Sequence, residues 1–177
     1  MRKKLLERKR HREESNVISD KALTAGMQDQ LNGLYRLSLS ILRSQADAQD
    51  AVQQGMLRAW EKRRQVSEES KIRAWLTRIV VNECRNIQRK RMRVFPVAQM
   101  QEGIQADTRM ETDRLKEAIG ALEEKLRTPL LLHYMEGFSE KEIAGILGIP
   151  ATTVKSRLHR ARKALKKELA DAEVRFS

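Results

Sequence analysis

The chain has 177 residues, room for one ordinary domain or two small ones, and its 40% apolar content supports real cores and argues against wholesale disorder. Its 36 basic and 24 acidic residues leave a net charge of +12, which points to a polyanionic partner, either nucleic acid or an acidic membrane. A single cysteine, Cys84, excludes an internal disulfide and a multi-cysteine zinc site.

Only three prolines and eight glycines interrupt a composition rich in Leu, Ala, Glu, Lys and Arg, so the expected fold class is all-α. No stretch approaches the roughly eighteen consecutive apolar residues of a membrane span. The basic start Met1–Arg12 is not followed by the apolar run of a signal peptide. The expected compartment is therefore the cytoplasm, without membrane insertion.

Residues 1–26 are dense in charge of both signs and read as a basic tail, with only Leu5 and Leu6 to bury in MRKKLLERKRHREE. A first helix is expected from about Gln28, where Leu31, Leu34, Leu37, Leu39 and Leu42 recur at mostly helical spacing. Asp47 and Asp50 open a second helix through Val52, Met56, Leu57 and Trp60, acids in a first turn being favoured by the helix dipole. QVSEES, residues 65–70, breaks the pattern as a loop.

A third helix puts Ile72, Trp75, Leu76, Ile79, Val80, Cys84 and Ile87 on one stripe, with Arg73, Arg78, Arg85, Arg89 and Lys90 on the other face. The spacing predicts Trp60, Trp75 and Cys84 as core residues. Residues 95–112 lack periodicity and carry one basic and three acidic residues. They read as a flexible linker long enough to let two domains sit well apart.

After Leu115, Ile119, Leu122 and Leu126, Thr128-Pro129 has the form of an N-cap with proline at the first helical position. Gly137 is expected to end that helix. Ser139-Glu140-Lys141-Glu142 is a capping box before Ile143, Ala144, Ile146 and Leu147. Gly148 makes a turn, and Pro150 starts a last helix running to about Ala170.

The segment FSEKEIAGILGIPATTVKSRLHRARK, residues 138–163, thus has helix-turn-helix grammar. Its second helix buries Val154, Leu158, Ala161 and Leu165, and offers Thr152, Thr153, Lys155, Ser156, Arg157, His159, Arg160 and Arg162 for contact. Residues 155–167 hold seven basic side chains and no acid. A major groove admits one α-helix; Arg and Lys read guanine, hydroxyls read several bases, and further basic groups neutralise phosphates. With no second ligand at metal spacing, His159 is not expected to bind a metal.

Longer stretches carry a resemblance to a known family. ADAQDAVQQGMLRAWEK (46–62), AWLTRIVVNECRNIQRKRMR (74–93), RTPLLLHYMEGFSEKEIAGILGIP (127–150) and TTVKSRLHRARKAL (152–165) are similar to the extracytoplasmic-function (ECF) group of the sigma-70 family of RNA polymerase sigma factors. The resemblance covers about residues 27–170 and implies two small helical domains joined by a flexible linker. Residues 1–26 would be a tail, 27–94 a region 2-type domain, 95–112 the linker, 113–171 a region 4-type helix-turn-helix domain, and 172–177 a C-terminal tail.

It also implies roles for residues. Asp47, Asp50, Gln53 and Leu57 would grip the clamp coiled coil of the largest subunit of core RNA polymerase, with the second domain near the flap. Ser67, Arg73, Arg78, Asn82, Arg85, Asn86, Arg89 and Lys90 would hold the melted −10 strand. The eight contact residues of the last helix would read the −35 element. Arg127 and Lys141 would touch phosphate.

Promoter DNA and an anti-sigma factor are the implied partners, the latter able to hold the chain at the membrane until a stress or envelope signal arrives. No cofactor, catalytic residue or small-molecule substrate is expected, and the common catalytic motifs are missing. A stand-alone regulator would need a dimer to place two reading heads, and no dimer seam is apparent. An RNA-binding scaffold would need an aromatic platform that the chain lacks. Asn86 where aspartate is frequent, and Thr152 where glycine is usual, read as specificity changes.

Overall fold

The computed structural model describes residues 18–94 and 110–175. Among them lie seven α-helices and no strand: α1 (Asp20–Leu42), α2 (Gln45–Glu61), α3 (Ile72–Val94), α4 (Met110–Ala121), α5 (Glu124–Tyr134), α6 (Glu140–Leu147) and α7 (Ala151–Arg175). Two short 3-10 turns, Arg63–Gln65 and Glu69–Lys71, flank the expected loop.

Helices α1 to α3 form the first domain. Helix α1 starts about two turns earlier than its leucine pattern indicates, because the Ser19 hydroxyl accepts from Ala22 N at 3.2 Å and caps it. Leu23, 1% exposed, anchors that added stretch, so residues 18–26 belong to the domain and not to a tail. The rest of the expected tail, residues 1–17, lies outside the described residues.

On α2 the small residues Ala48, Ala51, Gly55 and Ala59 are all buried and fall on one stripe, which lets α3 approach closely. A Cβ on Gly55 would stand 2.5 Å from a methyl of Val80. Cys84 is fully buried as expected. Burial pushes its thiol up to about 11, partly offset by the Ser38 hydroxyl. Trp75 is half-buried against the core. Trp60, expected in the core, is 42% exposed: the buried stripe of α2 is filled by small residues, and the indole falls outside it.

Helices α4 to α7 form the second domain. Met110–Ala121 begins inside the expected linker, of which residues 95–109 lie outside the described residues. Thr128-Pro129 does not start a helix. Helix α5 opens a turn earlier, where Leu126 N and Arg127 N both donate to Glu123 O at 2.8 and 2.9 Å. Pro129 sits inside it, at the cost of one backbone hydrogen bond. The continuous buried block from Arg127 to Leu132 offsets that loss.

Gly137 (φ 68°) turns the chain two residues beyond the Met135 C-cap. The capping box at Ser139 is complete. Glu142 N donates to Ser139 Oγ (3.3 Å), and Ser139 N donates to Glu142 Oε2 (2.9 Å). Gly148 closes α6 at φ 66°. Thr153 N and Val154 N then donate to Pro150 O, and α7 runs on to Arg175, taking in residues expected as a C-terminal tail.

The two domains do not sit apart. Helix α1 packs on α5 and α3 packs on α6, and one hydrophobic cluster extends from Leu23 in the first domain to Ala161 in the second.

Candidate nucleic-acid interface

Helix α7 is oriented by what it buries. Val154, Leu158 and Ala161 are at most 2% exposed, which leaves Thr152, Lys155, Ser156, His159, Arg160 and Arg162 on the outer face, all exposed. Arg160 donates to Ser156 Oγ at 3.0 Å, so two of the expected base-reading groups are held together. Thr153 and Arg157 are half-buried.

A second basic face runs along α3. Ser67, Arg78, Asn82, Arg89 and Lys90 are exposed. Asn86 is half-buried beside Glu83, which is itself paired with Arg58 of α2 at 2.7 Å. Arg73 and Arg85 are spoken for by the second domain. Arg73 donates to the backbone carbonyl of Glu136, lies 3.3 Å from its carboxylate and stacks 4.5 Å over the Phe138 ring. Arg85 donates to Leu147 O at 3.3 Å.

The outward edge of α2 carries Asp50, Gln53 and Leu57, the last 59% exposed. On one side of this edge lies an apolar groove of about 650 Å³ against α1, lined by Met27, Leu31, Met56 and Trp60. On the other lies a polar cleft of about 460 Å³ against α3, lined by Gln54, Arg58, Glu83 and Arg93 among others. Arg63 packs its guanidinium 4.9 Å from the Trp60 ring at the groove's end. Asp47 is different. It is half-buried and ion-paired with Arg91, so it braces α2 against α3.

The sequence reasoning missed the groove, because Trp60 was assigned to the core. It also missed Arg43, Glu136 and the seam role of Arg127, whose partners lie far away in the chain. Among the described residues no cluster of His, Cys, Asp and Glu is placed to hold a metal ion. No described helix is long and apolar enough to cross a membrane.

Residues 27–94 match the sigma-70 region 2 family, and residues 112–165 match sigma-70 region 4. The RNA polymerase sigma-E factor of Streptomyces antibioticus is 30% identical over 142 residues, 78% of this chain and 79% of that one. The ECF RNA polymerase sigma factor SigE of Mycolicibacterium smegmatis is 31% identical over 148 residues, 77% of this chain and 57% of that one. The chain belongs to the ECF group of the sigma-70 family.

This sigma factor is a transcription initiation factor. Among solved structures, the sigma factor RpoE in complex with the anti-sigma factor NepR from Bartonella quintana superposes with a TM-score of 0.67 at 29% identity, covering 81% of this chain and 95% of that one. The region 2 match falls on α1 to α3 and the region 4 match on α4 to α7. The match to region 2 begins at residue 27, inside α1.

Proposed function

We propose that this sigma factor reads two promoter elements with two helix faces while docked on core RNA polymerase through the outward edge of α2. Asp50, Gln53 and Leu57 make the docking contacts, and Asp47, held by Arg91, sets the tilt of α2 against α3. Ser67, Arg78, Asn82, Asn86, Arg89 and Lys90, joined by Arg73 and Arg85, hold the melted −10 strand. Thr152, Thr153, Lys155, Ser156, Arg157, His159, Arg160 and Arg162 read the −35 major groove.

The observation that carries this reading is the outer face of α7. Seven basic residues and no acid lie between Lys155 and Lys167, and the buried stripe opposite presents Lys155, Arg160, Arg162 and Lys163 to solvent. A single helix with this charge and these hydroxyls fits a major groove. Phosphate contacts dominate such binding, so the free chain binds DNA weakly and with steep salt dependence. The polymerase adds specificity by holding both readers on one promoter.

An anti-sigma factor is the regulatory partner, as in the Bartonella quintana complex. The regulon is a stress or envelope response, and the factor works in the cytoplasm.

The test is reconstitution: the purified chain is added to bacterial core polymerase, pulled down, and run on a pool of genomic fragments. Stable core binding with new start sites sharing two spaced elements supports the reading. Tight DNA binding without core association overturns it and leaves a stand-alone regulator.

A further inference from the structure

Among the described residues Glu83 is the one buried carboxylate, 6% exposed. It lies on α3, in the wall of the polar cleft of about 460 Å³ that α3 forms with α2. That volume is within the range of about 300–1,000 Å³ common for small-molecule sites. A carboxylate taken out of water is costly unless its oxygens are paired, and here each oxygen has its own partner. Oε1 lies 2.7 Å from the Arg58 guanidinium of α2. Oε2 accepts from the side-chain amide of Asn86, three residues along α3, at 3.5 Å.

Arg58 is 47% exposed, so this ion pair contributes little stability. Its consequence is orientation. An ionised carboxylate only accepts hydrogen bonds, whereas an amide has a donor end and an acceptor end. The end of Asn86 that meets Glu83 is therefore the NH2 group, and Oδ1 is left for the cleft that Asn86 also lines. Without Glu83 the two ends of the amide, nearly equal in shape, would be interchangeable.

The four bases differ in the group they would bring to that oxygen. Adenine and cytosine carry an exocyclic amine where guanine and thymine carry a carbonyl. A fixed acceptor pairs with the amine and opposes the carbonyl, and a site built around one hydrogen bond rejects the analogue that lacks it. Arg89 and Lys90, both exposed, line the same cleft and supply charge for the adjoining phosphates.

We propose that Glu83 is a positioning residue for base selection. Braced by Arg58, it turns the Asn86 carbonyl into the cleft, so that one unstacked base of the −10 strand is chosen for its exocyclic amine. Adenine and cytosine are taken there over guanine and thymine. Glu83 itself does not touch the strand. This assignment rests on α3 being the strand-holding face.

The experiment is transcription by the full chain with core RNA polymerase, from a promoter pool whose −10 element is randomised. The parent is expected to favour adenine and cytosine at one position by about 5–100-fold, and Asn86→Ala to abolish that preference. In Glu83→Gln, Arg58 takes the new side chain's oxygen and leaves its NH2 toward Asn86, which then turns its own carbonyl inward. The preference at that position is expected to reverse, to guanine and thymine. Adding Asn86→Asp to Glu83→Gln puts an acceptor in the cleft whichever way the side chain turns, and is expected to restore adenine and cytosine. A merely structural glutamate would give neither reversal nor rescue.

A parent profile without an amine preference, in a chain whose −10 reading still changes with Asn86→Ala, overturns the orientation of Asn86 and needs no folded Glu83 variant. A preference unchanged in Glu83→Gln, or lost and not rescued by Asn86→Asp, overturns the role of Glu83. Both results leave the strand-holding face in place. A −10 profile indifferent to Asn86→Ala and Arg89→Ala alike overturns that face, and the positioning role with it.

Discussion

The buried guanidinium of Arg127 donates to the backbone carbonyl of Ile41, 86 residues earlier in the chain and 3.0 Å away. The same group also meets Gly120 O at 2.9 Å and Leu122 O at 3.3 Å. It thereby ties the end of α4 and the start of α5 to the last turn of α1. Burial, and then the nearby Arg43 charge, hold its pKa below the usual arginine value, and the three carbonyls supply the acceptors that a buried cation requires.

Replacing Arg127 with lysine keeps the charge but cannot reach three carbonyls in a planar fork. Arg127→Lys is expected to lower unfolding free energy by about 2–3 kcal/mol, the range for a lost hydrogen bond to a charged group plus an unpaired carbonyl. Lys125→Ala is the control. It removes an ion pair to Glu123 whose side chains are 57% and 66% exposed, and it should cost under about 0.5 kcal/mol. Urea denaturation of both variants checks the contrast, and equal small losses would show that Arg127 holds nothing together.

At Gly55 two effects oppose each other. Alanine there gains about 1 kcal/mol of helix propensity, but its Cβ meets the Val80 methyl at 2.5 Å, and overpacking costs about 1–3 kcal/mol. Gly55→Ala is expected to be net destabilising, and to become neutral or stabilising in a Val80→Ala background. A double-mutant cycle reads this sign change directly.

The capping box makes a pH-dependent prediction. The Ser139 hydroxyl and backbone N–H hold the Glu142 carboxyl below its usual range. A depressed carboxyl contributes stability that is present above its unfolded pKa and lost as pH falls through the folded value. Ser139→Ala should therefore destabilise by about 1 kcal/mol near neutral pH. The gap between variant and parent should narrow on acidification to about pH 3. A gap independent of pH would separate the cap from Glu142.

Cys84 predicts the opposite direction in alkali. With its thiol raised from 9.0 to about 11, the stability from burying it neutral is complete below 9.0 and is lost as pH rises toward 11. Near pH 8 a disulfide-exchange reagent should label it only at the rate of unfolding, since the thiolate is the nucleophile. Rapid stoichiometric labelling of the folded chain would contradict its burial.

For promoter reading, Arg160→Ala removes an exposed guanidinium held against Ser156. Specific transcription with core polymerase should fall by about 5–100-fold, as loss of one base contact worth 1–3 kcal/mol implies. The loss should be confined to one position of the upstream element. Lys166→Ala, further along the same helix, should weaken all sequences alike and lower the salt slope by about one.

Local chemistry was enough for much of this molecule. The helix-turn-helix, its capping box, the Gly148 turn and the basic outer face of α7 follow from residues within one or two turns of each other. The apolar stripe of α3 and the buried Cys84 follow from period alone. The start of α1 at Ser19 was also local, but a lone serine followed by a sparse apolar pattern gives a weak signal. Packing against Ile72 of α3, whose methyl lies 2.8 Å from a Cβ built on Gly26, makes that stretch part of the fold.

Tertiary structure decided the rest. Trp60 lies outside the core because Ala48, Ala51, Gly55 and Ala59 let α3 come so close that no indole fits between. Pro129 lies inside α5 because the burial of Arg127 to Leu132 outweighs one missing hydrogen bond. Arg73, Arg85 and Arg127 carry no local mark to separate them from other surface cations. Their acceptors are carbonyls at the ends of helices some sixty to ninety residues away. Periodicity records which face of a helix is buried; which distant helix end meets a given arginine depends on how two domains pack, and that is settled only when the whole chain has folded.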